Sequence, residues 1–334
     1  DGLAETGGKR EQAFLFLNRR GYHARSSCRS CGQPLTCPKC SVAMTYHKTR
    51  SHWLNDPRLV CHWCGTELPL PRACPSCGSE HLAPVGFGTE RIEEDLKLRI
   101  PDARILRMDA DTTGTKRSYE EMLGKFRRHE ADILLGTQMV TKGHDFPAVT
   151  LVGVLLADSS LYVNDYRANE RTFAMLTQVI GRAGRADKPG RAVIQTNAPD
   201  NDVISLACEQ DYGTFYEREI RLRRALCFPP ICDIALISFS GSAENMVGIA
   251  GVRLLEELKK LRAEPAFSSA ELLVFGPVEA PVYRVDNRYR QRIVIKCRLT
   301  RQVLSLLQSL LLRVSSGFSK QKLYFSIDLN PSSL

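Results

Sequence analysis

Eight of the twelve cysteines stand in four C-x-x-C pairs between residues 28 and 77. Two thiolates from one tight turn can occupy two corners of a tetrahedral metal site, with backbone N–H groups facing the sulfurs. Four pairs therefore predict two closed sites of four thiolates each, which leave no position for water. We expect two structural Zn²⁺ ions that organise a surface, bound by Cys28/Cys31, Cys37/Cys40, Cys61/Cys64 and Cys74/Cys77.

The spacing of the pairs bears on which of them share a metal ion. Five residues separate Cys31 from Cys37, a short return for two turns that must face one ion, whereas twenty separate Cys40 from Cys61. A nested arrangement, outer pairs together and inner pairs together, is favoured, but spacing alone does not decide it. An alternative for the C-x-x-C pairs is redox chemistry, which predicts titratable disulfides and no bound metal.

Histidines and tryptophans in the cysteine block leave further alternatives open. His47, His52 and His62 offer ligands that can replace a thiolate, although surplus histidines near such loops are more often surface residues. The two tryptophans of the chain, Trp53 and Trp63, both lie in this block. Exposed, they would suit stacking on nucleobases or contact with a partner; buried, they would form a small core over the metal.

The second chemical signal is the stretch "MLTQVIGRAGRADKPGRAVIQT" at 175–196, with Arg182 and Arg185 three residues apart. Guanidinium groups placed in this way suggest a phosphate partner, and the alternative is a basic helix end stabilised by the helix dipole. The chain lacks a G-x-x-x-x-G-K-[ST] loop and an acidic D-E-x-H box. We therefore expect another part of a longer protein to hold the phosphate, and this chain alone to hydrolyse little or no ATP.

Apolar runs that alternate with helical segments surround this stretch. Strands are predicted at Ala13–Leu17 and in "RILRM", "DILLGT", "LVGVLLAD" and "AVIQT". Helices are predicted from an N-cap Thr89 to a stop before Pro101, around Tyr119 to Arg128, and in "NERTFAMLTQVIGRA". Continuously apolar strands separated by helices indicate a parallel sheet covered on both faces. Ligands of such sheets bind at the carboxyl ends of the strands, which here lie at 18–21, 109–113, 137–145 and 158.

The composition changes again near "LCFPPICD" at 226–233. The order β-α-β-β-α-β follows, which predicts a small α+β split-βαβ domain of about a hundred residues. Its strands are predicted at 234–239, 272–275, 292–297 and 323–327, and its helices at 243–261 and 301–314. We accordingly divide the chain into the start of an α/β lobe (1–27), a cysteine-rich insertion (28–83), the remainder of the lobe (84–225) and a carboxyl-terminal α+β domain (226–334).

Charge and apolar patterning restrict the class of protein. Lysine and arginine number 46 against 37 aspartates and glutamates, with basic clusters at 218–224 and 284–292. This balance favours a polyanionic partner, nucleic acid first, although a basic run is often only a solvated face. The sequence contains neither a membrane-length apolar run nor a signal peptide, so we expect a cytoplasmic protein without membrane contact. The unpaired cysteines Cys208, Cys227, Cys232 and Cys297 are predicted to be core residues.

"ILLGTQMVTKGHDFPAVTLV" and "QVIGRAGR" together resemble motifs V and VI of superfamily 2 helicases. In that superfamily a second RecA-like lobe completes an ATP site that the first lobe mainly builds. Phosphoryl transfer develops charge that a fixed guanidinium neutralises. The resemblance implies that Arg185 is the arginine finger, that Arg182 lies on the γ-phosphate side and that Gln178 and Gly181 position them. It also implies that Gly136, Lys142, Gly143 and Asp145 belong to the ATP site, with ATP and Mg²⁺ bound together with the missing first lobe.

A longer resemblance, carried by "FLNRRGYH", "GTQMVTKGHDFPAV", "QVIGRAGRADKPG" and "GPVEAPVYRVDNRYR…SIDLNPSSL", points to the bacterial primosomal replication-restart helicases. It implies the carboxyl-terminal portion of a monomeric, ATP-dependent 3′ to 5′ DNA helicase that recognises stalled forks and starts primosome assembly. The implied partners are forked and single-stranded DNA, single-stranded DNA-binding protein and primosome loader proteins. The family's zinc pairing is nested, which assigns Cys28, Cys31, Cys74 and Cys77 to one ion and Cys37, Cys40, Cys61 and Cys64 to the other.

The sequence departs from this family in two places. The stretch between Cys40 and Cys61 is longer by "RSHWLNDP". Where the family reads roughly R-Y-R-W-Q, in a site that grips the acidic tail of single-stranded DNA-binding protein, Arg288 keeps the charge but Arg292 replaces the glutamine. A different class remains open as well: a non-catalytic zinc-ribbon protein for DNA binding or assembly, with basic patches that position phosphates.

Overall fold

The computed structural model describes residues 11–18, 25–28, 30–31, 33–47, 58–80, 82–85, 88–109, 112–113, 116–137, 146–163, 165–184, 189–320 and 322–334. The backbone forms two compact units. The first is built from the described residues within 1–24 and 86–219, and the second from those within 25–85 and 220–334. The cysteine block and the carboxyl-terminal domain therefore belong to the same unit.

The elements are labelled in chain order. The strands are β1 Gln12–Leu17, β2 Arg25–Cys28, β3 Thr45–His47, β4 Arg58–Val60, β5 Glu67–Pro69, β6 Leu82–Val85, β7 Ile105–Met108, β8 Ile133–Gly136, β9 Val149–Leu155, β10 Arg191–Ile194, β11 Asp233–Gly241, β12 Leu272–Val285, β13 Arg288–Cys297 and β14 Tyr324–Leu329. The helices are α1 Thr89–Arg99, α2 Lys116–Arg127, α3 Ala168–Ile180, α4 Asp202–Glu209, α5 Tyr212–Leu226, α6 Glu244–Ala263 and α7 Arg301–Lys320. A short 3₁₀ turn covers Ala157–Ser160.

The first unit contains the predicted parallel sheet. Its strand order is β10-β9-β1-β8-β7, and each neighbouring pair runs parallel. Every residue of β1 is buried, because β1 lies between β8 and β9 and has apolar side chains on both faces. The continuous apolar runs thus predicted both the strands and their parallel arrangement, as expected for a doubly covered sheet.

Helices cover both faces of this sheet. One face packs Phe14, Phe16 and Val152 against side chains of α2, α3 and α4. The opposite face packs Leu15 and Leu135 against α1. The α/β lobe predicted from the sequence is confirmed in the part of the chain that the structure describes.

Thr89 has a different role from the predicted N-cap. Gly88 occupies the N-cap position of α1, and Thr89 is the first helical residue. The buried Thr89 hydroxyl instead donates a hydrogen bond to the Asp109 carboxylate, with 2.5 Å between Oγ1 and Oδ2. Asp109 follows β7, so this contact fixes the start of α1 to the end of the next strand along the chain.

Two helices were not predicted. The Asn201 side chain accepts a hydrogen bond from the Val203 N–H and so caps α4, and α5 follows after a short turn. The basic cluster at 218–224 lies on α5. Phe215 of this helix stacks on Phe173 with 4.2 Å between the ring centroids, which attaches α5 to the core of the first unit.

The carboxyl-terminal domain has the predicted β-α-β-β-α-β order. Its antiparallel sheet has strand order β12-β13-β11-β14, and α6 and α7 pack against it around Ile237, Leu254 and Leu306. Strands β12 and β13 are longer than predicted and form a hairpin that turns at Asp286 and Asn287. Among the described residues, none of the helices is long and apolar enough to cross a membrane.

The cysteine block forms five short strands in a second antiparallel sheet of order β5-β4-β3-β2-β6. A small core of Leu35, Met44 and Leu59 packs with buried cysteines. The segment "RSHWLNDP" at 50–57, with His52 and Trp53, lies outside the described residues. A core this small needs covalent or metal cross-links for stability.

Removing the Thr89 hydroxyl should weaken the first unit. In Thr89→Val, a buried Asp109 carboxylate oxygen loses this donor, which should lower the free energy of unfolding by about 1–3 kcal/mol. Burial opposes ionisation of Asp109, but the Thr89 hydrogen bond and the Arg107 charge give a net lowering of its pKa. The stabilisation is therefore complete above the unfolded pKa of about 3.9 and is lost as the pH falls through the folded value.

Native-state hydrogen exchange of the β7 and β8 amides at neutral pH and in acid measures this loss within the first unit. The matched control is Thr177→Val, since the buried Thr177 Oγ1 has no hydrogen-bond partner in the described structure. Its substitution should cost almost nothing. Equal losses in the two variants would contradict the role given to the Thr89–Asp109 contact.

Candidate metal centres and nucleotide-facing loop

The eight paired cysteines form two groups of four sulfurs. Within each group the sulfurs lie within 4.8 Å of one another. The grouping is the nested one. We call Cys28, Cys31, Cys74 and Cys77 the outer cluster, and Cys37, Cys40, Cys61 and Cys64 the inner cluster.

Tight turns build each pair. The Gly78 N–H donates to the Cys74 carbonyl at 2.9 Å, and the Gly65 N–H donates to the Cys61 carbonyl at 2.8 Å. Both glycines have positive φ, +72° and +73°, a backbone conformation that side chains disfavour. The glycine after these C-x-x-C pairs therefore allows the chain to turn so tightly that both cysteines of the pair face the same point.

The surroundings of the thiols shift their pKa values in opposite directions. Backbone hydrogen bonds, chiefly from Cys31, lower the pKa of Cys28 to about 6. The Thr66 hydroxyl lowers the pKa of Cys64 to about 6. Burial raises the pKa of Cys40 to about 12 and also raises that of Cys37. Buried thiols of this kind ionise when a cation compensates their charge.

The donor set fits a structural metal. Four thiolates that converge from two turns match tetrahedral zinc, and each cluster already supplies all four ligands. Ser76 N–H donates to Cys74 Sγ at 3.4 Å, the kind of hydrogen bond that orients a metal-binding sulfur. The clusters are compatible with structural zinc rather than with a catalytic metal that needs an open position.

The arginine motif begins at the end of α3. The Gly181 N–H donates to the Thr177 carbonyl at 3.0 Å and closes the helix, Gln178 is exposed and Arg182 is half-buried. Arg185 lies outside the described residues. The structure thus places Gln178, Gly181 and Arg182 together.

Two glycines shape the backbone of this loop. Gly184 has φ of +68°, and its N–H donates to the Val149 carbonyl of β9 at 3.1 Å. A Cβ at Gly190 would lie 2.3 Å from backbone atoms of Ala183 and Gly184, so only glycine allows this close approach. The described start of this loop is therefore bound to β9 by one backbone hydrogen bond, and Gly190 lies close to the same backbone.

The remaining predicted nucleotide-contacting residues fall on β8 and the segment after it. Gly136 is the buried last residue of β8 and pairs in register with Phe16 of β1 and Met108 of β7. Lys142, Gly143 and Asp145 lie outside the described residues. The carboxyl end of β8 belongs to the strand edge where parallel sheets bind ligands.

Other polar residues at this edge make internal contacts. Asn18 is fully buried, and its Nδ2 donates to Ser160 Oγ at 2.9 Å. Ser160 in turn exchanges a 2.7 Å hydrogen bond with Thr172. Asp158 accepts from the Asn197 N–H at 3.1 Å. Like Asp109, these residues form hydrogen bonds that join neighbouring elements of the lobe. From the sequence pattern alone, polar residues with this structural role could not be distinguished from residues that bind a ligand.

The prediction for the unpaired cysteines holds only in part. Cys297 is buried and packs in the core of the carboxyl-terminal domain. Cys227 and Cys232 are partly buried, and Cys232 Sγ lies 2.9 Å from the Cys227 carbonyl. Cys208 is exposed, so its prediction was wrong. The apolar neighbours of Cys208 on α4 face the core, whereas Cys208 occupies the outward face.

The basic segment 284–292 lies on the β12–β13 hairpin. Arg288 lies over the Tyr324 ring, 4.1 Å from its centroid, and donates to the Ser240 carbonyl. Arg292 is partly buried, and desolvation lowers its pKa. Trp63 is 51% exposed, in agreement with the stacking alternative, and the Arg290 guanidinium lies 6.0 Å from its ring centroid.

Two family models match this chain. The "Helicase conserved C-terminal domain" matches residues 87–187, and the "Primosomal protein N C-terminal domain" matches residues 224–332. A crystal structure of the Pyrococcus furiosus Hef helicase domain aligns with 62% of this chain and 26% of that chain, at 14% identity and a TM-score of 0.28. The sequence matches place a helicase-type segment and a primosomal-type segment in the same chain.

Curated relatives extend the similarity across nearly the whole chain. The replication restart protein PriA of Bacillus subtilis (strain 168) is 44% identical over 98% of this chain and 39% of the relative. The Synechocystis protein of the same name is 37% identical over 99% of this chain and 38% of the relative. This chain spans about two fifths of the length of these relatives. This chain, which has a parallel α/β lobe and two four-cysteine clusters, is thus similar over almost all its residues to a portion of the replication restart proteins PriA.

Proposed function

We propose that this chain is the carboxyl-terminal part of an ATP-dependent 3′ to 5′ DNA helicase that recognises stalled replication forks and starts primosome assembly. The observation that carries the proposal is the similarity to PriA proteins over 98% of the chain, combined with a helicase-type match. The proposed division is a lobe at 1–27 and 84–225, a zinc-binding insertion at 28–83 and a carboxyl-terminal domain at 226–334. We expect a cytoplasmic monomer.

In this proposal the parallel sheet is the second lobe of an ATPase. ATP and Mg²⁺, held mainly by a lobe that this chain lacks, supply the triphosphate. Arg185 neutralises charge that develops during phosphoryl transfer, and Arg182 contacts the γ-phosphate side. Gln178 and Gly181 position the two arginines, and Gly136, Lys142, Gly143 and Asp145 complete this face of the site. Because the arginines belong to the second lobe, hydrolysis would depend on closure of the two lobes.

The two cysteine clusters are proposed to hold one Zn²⁺ each. Four thiolates leave no open position, so the ions would stabilise the cysteine block rather than take part in chemistry. Trp63 is exposed beside the inner cluster, where it would suit contact with DNA bases or with a loader protein. The proposed partners are forked and single-stranded DNA, single-stranded DNA-binding protein and primosome loader proteins. Arg288 and Arg292 are the candidates for contact with the acidic tail of single-stranded DNA-binding protein.

Replacing the proposed arginine finger should stop catalysis while leaving DNA binding intact. In a protein that joins this chain to the complementary segment of a PriA relative, Arg185→Ala should lower DNA-stimulated ATP hydrolysis by about 10³-fold or more. Steady-state ATPase assays and fork binding, measured side by side, check this expectation. Fork binding should remain nearly unchanged, because the arginine contacts the nucleotide and not the DNA.

The matched control is Arg191→Ala, which removes an exposed arginine from the edge strand β10 of the same sheet. This variant should retain full turnover. Unchanged turnover in Arg185→Ala as well would favour the non-catalytic DNA-binding or assembly protein instead.

Elemental analysis of the purified chain should find two zinc ions per molecule. Removal of zinc by a chelator should unfold the cysteine block, because its apolar core is small and the metal supplies much of its folding free energy. Circular dichroism and tryptophan fluorescence report this change. A metal-free chain with titratable disulfides would support the redox alternative and contradict the zinc proposal.

The zinc sites should affect DNA unwinding and partner loading more than basal ATP hydrolysis. In the joined protein, a folded Cys37→Ser variant should retain most ATPase activity, because the cysteine block supplies none of the proposed nucleotide contacts. Unwinding of forked DNA and loading of the replicative helicase should decrease strongly. Equal losses of all three activities would contradict this separation of roles.

A further inference from the structure

The tip of the β12–β13 hairpin, residues 284–287, contacts the loop that contains Cys40. The Asn287 N–H donates to the Lys39 carbonyl at 2.9 Å. Ser41 and Arg284 form a reciprocal pair, in which the Ser41 N–H donates to the Arg284 carbonyl and the Arg284 N–H donates to Ser41 Oγ, each at 2.9 Å. The Arg284 guanidinium also donates to the Pro38 carbonyl at 3.0 Å. Residues on both sides of Cys40 are thus bound to the hairpin tip.

The hairpin tip also reaches a metal-site sulfur directly. The Asp286 N–H donates to Cys40 Sγ, with 3.2 Å between nitrogen and sulfur. The Val285 side chain packs against the apolar core of the inner cluster, which includes Leu35 and Met44. A distant segment therefore supplies both a donor to a sulfur of this cluster and part of its apolar cover.

The backbone of the hairpin tip is shaped for these contacts. Asp286 and Asn287 have φ of 47° and 59°, so both adopt the left-handed conformation of a tight two-residue hairpin turn. Asp and Asn tolerate this conformation better than most residues with side chains. The same two residues supply the N–H groups that bind the Cys40 sulfur and the Lys39 carbonyl.

The outer cluster differs in this respect. In the portion of the chain that the structure describes, hydrogen bonds to its sulfurs come from its own loops, such as the Ser76 N–H bond to Cys74. The two clusters have the same ligands, yet among the described residues the hairpin tip contacts the inner cluster and not the outer one. This difference provides an internal comparison for experiments.

We propose that the hairpin tip and the inner cluster are energetically coupled: metal in the inner cluster orders the hairpin tip, and the hairpin tip slows metal loss from that cluster. The inference rests on the zinc binding put forward under Proposed function. Hydrogen-bond partners of metal ligands typically contribute 10- to 100-fold to metal affinity. Such coupling acts equally in both directions, because it is a free energy shared by the two sites.

The coupling has a structural consequence for the basic strand. β13 begins directly after the hairpin tip and carries Arg288, Arg290 and Arg292. Arg290 lies over Trp63, which directly precedes the inner-cluster ligand Cys64. Metal in the inner cluster therefore fixes where the basic end of β13 lies relative to the cysteine block.

Hydrogen exchange tests the first direction of the coupling. In the zinc-loaded chain, peptides that span 284–290 are compared between Cys64→Ser, which disrupts the inner cluster, and the matched control Cys77→Ser, which disrupts the outer one. Exchange at the hairpin tip should accelerate by about tenfold or more in Cys64→Ser. It should stay at the parent rate in Cys77→Ser.

The rate of zinc release tests whether the hairpin tip slows metal loss from the inner cluster. This test keeps all four inner-cluster cysteines, so it does not require a cysteine variant that folds. Val285→Asp places a charge against the inner-cluster core, whereas Val278→Asp changes an exposed valine, 46% accessible, on the same strand. Release to a chromogenic chelator should be about tenfold faster for one of the two ions in Val285→Asp and unchanged in Val278→Asp. Asp286→Pro is not a suitable way to remove the N–H that donates to Cys40, because the proline ring does not allow the φ of 47° found at Asp286.

The outcomes separate the inference from the zinc proposal. The coupling alone would be overturned if the parent chain binds two zinc ions and either of two results is found. One is that Cys64→Ser leaves hydrogen exchange at the hairpin tip unchanged, and the other is that Val285→Asp leaves zinc release unchanged. A parent chain without zinc would contradict the proposed metal sites and the coupling together. Faster tip exchange in both cysteine variants would show general loosening of the cysteine block and would also overturn the specific coupling.

Discussion

The pairing of β1 with β8 on one side and β9 on the other holds the parallel sheet together. All six residues of β1 are buried, and the strand is separated from both partners by more than a hundred residues. The chain leaves the sheet directly after this strand and returns with α1. The described residues between them at 25–85 belong to the other compact unit, where the cysteine block has a small apolar core of its own.

The cysteine block consists of short strands and two four-thiol clusters. Its apolar core is small, and the inner cluster is the point where the carboxyl-terminal domain adds Val285 and hydrogen bonds to it. The insertion and the last domain thus share one compact unit, although the helicase-type lobe separates them in sequence. Under the proposed function, the nucleotide face would lie on the parallel sheet and the zinc-supported surface would belong to the other unit.

Much of this could be predicted from local patterns. Continuous apolar runs gave the strands of the lobe, since a doubly covered strand needs apolar residues on both faces. The C-x-x-C spacing indicated the two thiol groups, and the short Cys31–Cys37 interval favoured nesting because two turns cannot easily face one ion across five residues. The arginine motif predicts phosphate chemistry, which the fold alone would not reveal, and this stays a prediction.

Other features depend on contacts that a local pattern does not encode. The β12–β13 hairpin continues past Gly276, Pro277 and Pro281, residues that end most strand predictions. Thr89 has the residue type of an N-cap, but its hydroxyl donates to Asp109 at the end of the next strand instead of to the first turn of its own helix. Cys208 has apolar neighbours yet faces outward, because α4 buries only one side.

In the proposed enzyme, this lobe directs cationic side chains at a triphosphate held by a neighbouring lobe. The most direct measurement is an experimental structure of the joined protein with ADP and aluminium fluoride, which imitates the transferring phosphoryl group. We expect the guanidinium groups of Arg182 and Arg185 to contact the fluorides of the aluminium fluoride and the phosphate oxygens of ADP. Guanidinium groups turned away from the nucleotide and paired with carboxylates of their own lobe would contradict it.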